Sequence, residues 1–328
     1  MTNSSIDRRR FIQALPLAAG AASLVSWAAE EKSRIVEIHR PGILQENNRP
    51  DAAGTQEMLD KGMREFTGEK SRRDQWAKFV SKDDVVGLKV NGLGGALMCT
   101  KKELIQAVIQ GLLDAGVKEN NIIVWDNRTS FVTATGFAEN VGKTGVRVYA
   151  SENPEIGHDQ NATQIEAGST HLSKILTEQI TALVNLPIMK DHPIAGTTLS
   201  LKNISHGVTD NPDAFHGGKC HPCIAQINAL PVVRAKHRLV VMDALLGCCD
   251  GGPRYKASGV EKYESIFIAT DCVAIDAMGT ERIESARKAK GLPSLAERGL
   301  STNYIALAAK AGLGANEKSK IDLQRMEG

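Results

Sequence analysis

Residues 181–223 read TALVNLPIMKDHPIAGTTLSLKNISHGVTDNPDAFHGGKCHPC and carry the densest set of ionisable and metal-capable side chains in the chain. Cys220-His221-Pro222-Cys223 is a Cys-x-x-Cys motif, a spacing at which two thiolates can grip one metal ion or one iron of a cluster. It lacks the trailing histidine of a haem attachment site. Cys248, Cys249, His216 and Cys99 are the candidates to complete such a ligand set. A disulfide formed after export, or plain reduced thiols, are the other readings of the same cysteines. His192 and His206 sit close in sequence to Lys190 and Lys202. Imidazoles titrate near neutrality and bind metals, and lysines set among Pro, Gly and Asn suit an anionic ligand better than a solvated face. Polar loop residues are the plainer alternative for each.

Other polar residues fall at the ends of predicted strands: Asn91, Asp126 with Arg128, Asp243, and Asp271. Each could hold a cofactor or orient a catalytic group, with Asp243 as the orienter of His192. For Asp271, which precedes a helix, capping is the simpler role. Asn91-Gly92-Leu93-Gly94-Gly95 resembles a phosphate cradle but fails Gly-x-Gly-x-x-Gly, because Leu97 stands where the third glycine belongs. No nucleotide is expected.

The elements that must position these residues alternate. Strands are predicted over 34–39, 85–90, 121–125, 146–149, 182–186, 239–242 and 265–269. Helical spacing appears over 54–67, 104–113, 135–143, 171–179, 196–204, 223–230, 272–290 and 304–311. Thr100 with Glu103 reads as a capping box for the second of these helices. Strands joined by crossovers of more than ten residues predict an α/β fold, a mostly parallel sheet with helices on both faces. Ligands of such sheets bind at the carboxyl ends of the strands. Asn91, Asp126, Lys190, Asp243, Asp271 and all six cysteines are therefore expected along one crest.

The chain of 328 residues is 42% hydrophobic, enough for one full core, and its net charge of +2 with 4% aromatics argues against nucleic acid. Arg8-Arg9-Arg10-Phe11-Ile12 followed by the Ala-rich stretch 14–29 matches a twin-arginine export signal. It is too short for a membrane span. The expectation is a signal over 1–29, one domain over 30–328, engagement of the twin-arginine translocase, and a mature protein in the periplasm or cell envelope without a stable membrane span. That route carries folded proteins and is compatible with a cofactor loaded beforehand.

Leu186-Pro187-x-x-Lys190-x-His192-Pro193-x-Ala195-Gly196, then Leu201-Lys202-Asn203 and Ser205-x-Gly207, resembles the family known as domain of unknown function 362. Met242-Asp243, Gly251-Gly252-Pro253 and Ala269-Thr270-Asp271-x-Val273-Ala274-x-Asp276 resemble its later motifs. The likeness spans about 85–314 and departs at Cys272, where the family's pattern has proline. It implies an α/β fold and a shared site, and some members carry iron–sulfur modules. It does not imply a reaction.

These observations support an exported α/β protein holding a metal ion or iron–sulfur centre on Cys220, Cys223 and Cys248 or Cys249, with a redox role. Lys190, His192, Lys202, His206 and Asn203 would face a small anionic substrate or a redox partner. A cofactor-free hydrolase or isomerase using His192 as acid/base beside Lys190, and a non-catalytic anion-binding protein, are the competing expectations.

Overall fold

In the computed structural model, residues 32–328 are described. The export signal expected over 1–29 lies outside the described residues. The strands are β1 (Ser33–His39), β2 (Val86–Lys89), β3 (Ile122–Asp126), β4 (Arg147–Ala150), β5 (Thr163–Ile165), β6 (Gly168–Thr170), β7 (Ala182–Asn185), β8 (Ile188–His192), β9 (Gly196–Thr198), β10 (His237–Cys248), β11 (Val260–Glu261), β12 (Ser265–Ala269) and β13 (Ile321–Glu327). The main sheet runs β13-β1-β12-β10-β7-β2-β3-β4, while β5 and β6 pair only with each other. The helices are α1 (Ala52–Thr67), α2 (Arg72–Ala77), α3 (Lys102–Asp114), α4 (Thr129–Ala134), α5 (Ser200–Ser205), α6 (His221–Ala229), α7 (Pro231–Lys236), α8 (Cys272–Ala289) and α9 (Asn303–Lys310).

Successive side chains of a strand point to opposite faces, and here both faces are apolar. Ile122 and Val124 pack in one layer with Leu88, Val184, Met58 and Leu104. Ile123 and Trp125 pack in the other with Leu183, Leu201, Ile224 and Ile275. α1 and α3 thus cover one face, and α5, α6, α8 and α9 the other. Near-continuous apolar strands with helices on both sides are the mark of a parallel sheet, and each buried Leu, Ile or Val contributes roughly 1.5–3 kcal/mol. The α/β expectation holds.

Along this order one strand breaks the parallel rule, and off it β9 and β11 run antiparallel to β8 and β10. β12 runs antiparallel to both its neighbours, with Ala269 opposite Val240 of β10 and Ile35 of β1. Its carboxyl end therefore lies at the opposite edge from the ends of β2, β3, β7 and β10. The expectation that Asp271 and Cys272 share the crest is corrected by this reversal. Asp271 instead caps α8, accepting hydrogen bonds from the Val273 and Ala274 amides, and it also receives the Ala315 amide and the Ser33 hydroxyl.

Local chemistry moved other boundaries. The Thr100–Glu103 capping box does not form. Thr100 Oγ1 bonds the Asn91 amide and the Leu186 carbonyl, Glu103 pairs with Arg49, and Asp243 takes the Lys101 amide at the start of α3. The 196–204 segment splits into β9 and α5, because Asp276 reaches from α8 to accept the Ser200 and Leu201 amides. The 239–242 strand extends to Cys248 by changing partner from β7 to β8. In 171–179 only Ile175–Gln179 is helical, and the helix expected over 135–143 lies earlier, at α4. β13 was not apparent as a strand in the sequence pattern, yet it pairs along the whole of β1.

Candidate functional site

At the carboxyl ends of β2 and β3 a polar network is buried in the sheet. Lys89, the last residue of β2, donates from Nζ to Asp126 Oδ1 at 2.7 Å and to the Val90 carbonyl at 2.8 Å. Asp126, the last residue of β3, also accepts the Gly92 and Asn127 amides. Asn203 of α5 gives Nδ2 to Asn185 Oδ1 at 2.7 Å, and its Oδ1 accepts from Asn91 Nδ2 at 2.9 Å. Asn91 Oδ1 in turn receives Lys190 Nζ at 2.7 Å. Asn91, Asp126, Lys190 and Asn203, separate in sequence, are one bonded set. Burial pulls Lys89 below the usual lysine range, with Asp126 opposing it.

Two glycines make this packing possible. A Cβ on Gly207 would lie 2.1 Å from Lys89 Cε, and one on Gly92 would lie 1.8 Å from the Phe131 carbonyl oxygen. The glycine at 92 serves a close approach of two chain segments.

Pro187 separates β7 from β8 and turns the chain toward β10. Alternation along β8 then puts Lys190 and His192 on one side and Asp191 on the other. Asp191 accepts the Gly251 and Gly252 amides and so fixes the loop that carries Arg254. Burial pulls Lys190 down to about 7; Asp126 opposes the shift and Lys202 adds to it. His192 Nδ1 accepts the Ile194 and Ala195 amides at 3.2 and 3.1 Å. Its proton therefore resides on Nε2. Burial first, then Lys202, His216 and Lys190, push the ring down to about 2. A ring held as an Nε2–H donor suits an anion. Proton abstraction, the role expected for His192, would require breaking both amide bonds.

Lys202 and His206 lie four residues apart on and just after α5, on one helical face. His206 meets the His216 ring edge-on at 5.1 Å between centroids, and His216 stacks on His192 at 5.5 Å. One ligand atom from each of His206, His216 and Cys220 lies within 4.8 Å of the others. His206 Nδ1 is 3.0 Å from Ser205 Oγ, while its buried Nε2 has no partner. His216 Nδ1 faces Asp213 at 3.7 Å. His206 thus turns Nδ1 toward an oxygen and leaves Nε2 without a partner, the usual arrangement around a metal ligand. Burial lowers both rings, with Lys202 adding to it, so they are neutral and ready to ligate. Burial raises the Cys220 thiol, and Lys202 opposes that.

Lys202 is 4% exposed, and among the described residues its ammonium has no hydrogen-bond acceptor. Burial pulls it down to about 8. It lines a cavity of about 270 Å³ together with Lys89, Asp126, Arg128, His206, His216 and Arg254. Four cations against Asp126 and Asp213 leave this cavity positive.

The remaining expected ligands stand apart. All six cysteines are free thiols. Cys223 Sγ is 3.1 Å from the Cys220 carbonyl oxygen and 3.7 Å from that of Phe215. Cys248 contacts the Asp250 carbonyl and packs with Met98 and Ile188, and Cys249 belongs to the main core. Neither they nor Cys223 joins the His206–His216–Cys220 group, so the set of Cys220, Cys223 and Cys248 or Cys249 expected from the sequence is corrected to two imidazoles and one thiol. Lys219 and Cys220 adopt left-handed backbone before α6, and Cys223 Sγ turns to the Cys220 and Phe215 carbonyls. Asp243 is corrected as well. Its oxygens take the Lys101 and Leu245 amides at 2.6 and 3.0 Å, and burial raises it to about 6. It anchors α3 and does not orient His192.

Residues 86–281 match the family described as Domain of unknown function (DUF362), and the chain belongs to that family. No curated protein matches the sequence. Among solved structures, a protein from Thermotoga maritima is similar at 12% identity, over 72% of this chain and 59% of its own, with a TM-score of 0.43. The chain spans about three-fifths of the length of that protein.

Proposed function

We propose that this protein binds a transition metal ion through His206, His216 and Cys220 and receives an oxyanion, a phosphate or a carboxylate, on Lys202 and His192 beside it. The observation that carries the reading is the convergence of two imidazoles, one with an unpartnered buried Nε2, and a thiol beside the Lys202 ammonium, which has no acceptor among the described residues. Two nitrogens and one sulfur suit zinc or copper better than the oxygen-loving magnesium or calcium. Three protein ligands leave a coordination position for a substrate. A metal there would polarise the bound anion, Lys202 would balance its charge, and the Nε2–H of His192 would orient it. The arrangement supports metal-assisted chemistry on an anion better than a cysteine-ligated cluster. Export of the folded, loaded protein on the twin-arginine route is part of the proposal and is supported by Arg8, Arg9 and the residues after them.

Titration of the full chain with Co(II) tests it. A sulfur-to-cobalt charge-transfer band should appear at one equivalent, survive Cys248→Ser, and vanish in Cys220→Ser. A band that persists without Cys220, or none in the wild type, refutes the ligand set.

A further inference from the structure

The cavity that Lys202 lines has a second cationic region, which the proposed anion site does not use. Lys202 is 4% exposed and marks the cavity's depth, whereas Arg128 and Arg254 line it and are exposed, which marks its mouth. The two arginines come from different loops, one after β3 and one after β10, and the segment 91–95 packs against both loops. A Cβ on Gly92 would lie 1.8 Å from the Phe131 carbonyl oxygen, and one on Gly94 would lie 2.7 Å from the Pro253 carbonyl oxygen. Only glycine allows backbone to approach that closely on both sides. Asp191 pins the Arg254 loop further by accepting the Gly251 and Gly252 amides.

Arg128 Cζ lies 5.8 Å from the centroid of the Phe131 ring. Such stacking orients a guanidinium and leaves its N–H edge open to an acceptor. The cavity's own carboxylates are engaged elsewhere, Asp126 by Lys89 and Asp213 by His216. A single anion on Lys202 would leave the arginine pair at the mouth without a counter-charge. Leu93 and Phe131 add apolar wall to the same cavity. Its volume of about 270 Å³ lies at the small end of ligand pockets, which run upward from about 300 Å³. The ligand's body is therefore short.

We infer that the ligand is a short linear dicarboxylate that spans this cavity. One carboxylate sits at the depth, where Lys202 Nζ and His192 Nε2–H offer one donor to each of its two oxygens. The other meets the guanidinium forks of Arg128 and Arg254, whose planar geometry matches a carboxylate. The carbon chain lies against Leu93 and Phe131. The inference rests on Lys202 as the anion site proposed above and adds a second anchor to it.

Calorimetry on the full chain at about 0.15 M salt compares malonate, succinate and glutarate with acetate, propionate and butyrate, and with sulfate, whose two charges sit on one group. The best dicarboxylate should bind about tenfold tighter than any monocarboxylate. Arg128→Gln and Arg254→Gln should each weaken it about threefold, and together they should erase its advantage. Sulfate should change less than about twofold in either variant, whereas Lys202→Met should weaken every one of these anions. Dicarboxylates no tighter than monocarboxylates in the wild type, or an advantage that survives both arginine changes, overturn the second anchor. Equal losses for sulfate and the dicarboxylate in the arginine variants also overturn it, because they report only the field at the mouth. Any of these results with sulfate binding lost in Lys202→Met leaves the Lys202 site standing. Unchanged sulfate affinity in Lys202→Met refutes that site, and the span between the two anchors falls with it.

Discussion

Replacing Lys202 by methionine should make the protein more stable and a poorer anion binder at once. The Lys202 side chain is 4% exposed and lines the cavity with no acceptor among the described residues, and burial has pulled it from 10.5 to about 8. A lysine with a lowered folded pKa destabilises the fold below that value, where both states are charged. The cost fades as pH rises from about 8 toward 10.5, because the folded state sheds its proton first. At neutral pH the cost is about 3 kcal/mol, and near pH 10 it is under about 1 kcal/mol. Methionine fills the same channel without charge and loses no hydrogen bond. Lys202→Met should therefore gain about 2–3 kcal/mol in urea unfolding at neutral pH, and the gain should shrink toward pH 10. The same change removes a charged donor worth about 1.5–3 kcal/mol, so phosphate or sulfate should bind roughly 10- to 150-fold more weakly by calorimetry. A destabilised variant, or one that binds anions as the wild type does, refutes the assignment of Lys202 as an unpaired cation waiting for a ligand.

Anion affinity of the wild type should fall as pH rises through about 7 to 8, since Lys190 and Lys202 lose their protons there; proton uptake on binding, measured in buffers of different ionisation heat, checks it. Metal affinity should move the other way, rising about tenfold per pH unit near neutrality, because only the Cys220 thiol must release a proton while His206 and His216 are already neutral. Competition with a chelator at several pH values measures that slope. Asp126→Asn leaves Lys89 buried without its counter-charge and should cost about 3–5 kcal/mol in chemical unfolding. Asp271→Ala removes the α8 cap and the bonds from the Ala315 amide and the Ser33 hydroxyl; it should cost about 2–4 kcal/mol and leave anion and metal titrations unchanged.

The mostly parallel sheet and the concentration of chemistry after β7 were legible because parallel strands buried on both faces write long apolar runs. Lys89 was legible in principle: it is a lone charge at the end of one such run, and a charge there must find a partner such as Asp126. The reversal of β12 was not, because a serine followed by four apolar residues does not tell which way the strand runs. That ambiguity placed Asp271 and Cys272 with the wrong neighbours. Cys-x-x-Cys misled for a related reason. Spacing brings two thiols near each other in sequence, but Cys220 meets His206 and His216 while Cys223 turns to backbone carbonyls, and no composition rule encodes that. His206 and His216 were visible as candidates, whereas the unpartnered Nε2 of His206, with Nδ1 beside Ser205, is a detail that only the fold brings into view.

Charge balance joins the two halves of the candidate site. A divalent ion on two neutral imidazoles and one thiolate leaves a net positive centre, and Lys202 stands beside it with no acceptor. Asp126 is already committed to Lys89, and Asp191 to two backbone amides, so neither is free to neutralise it. In a buried site such an excess is costly unless an anion arrives. On the proposed reading the metal raises the affinity for the oxyanion, and the oxyanion raises the affinity for the metal by the same factor, since linkage between two binding equilibria is reciprocal. On that reading the Lys202 ammonium is what ties the two ligands together.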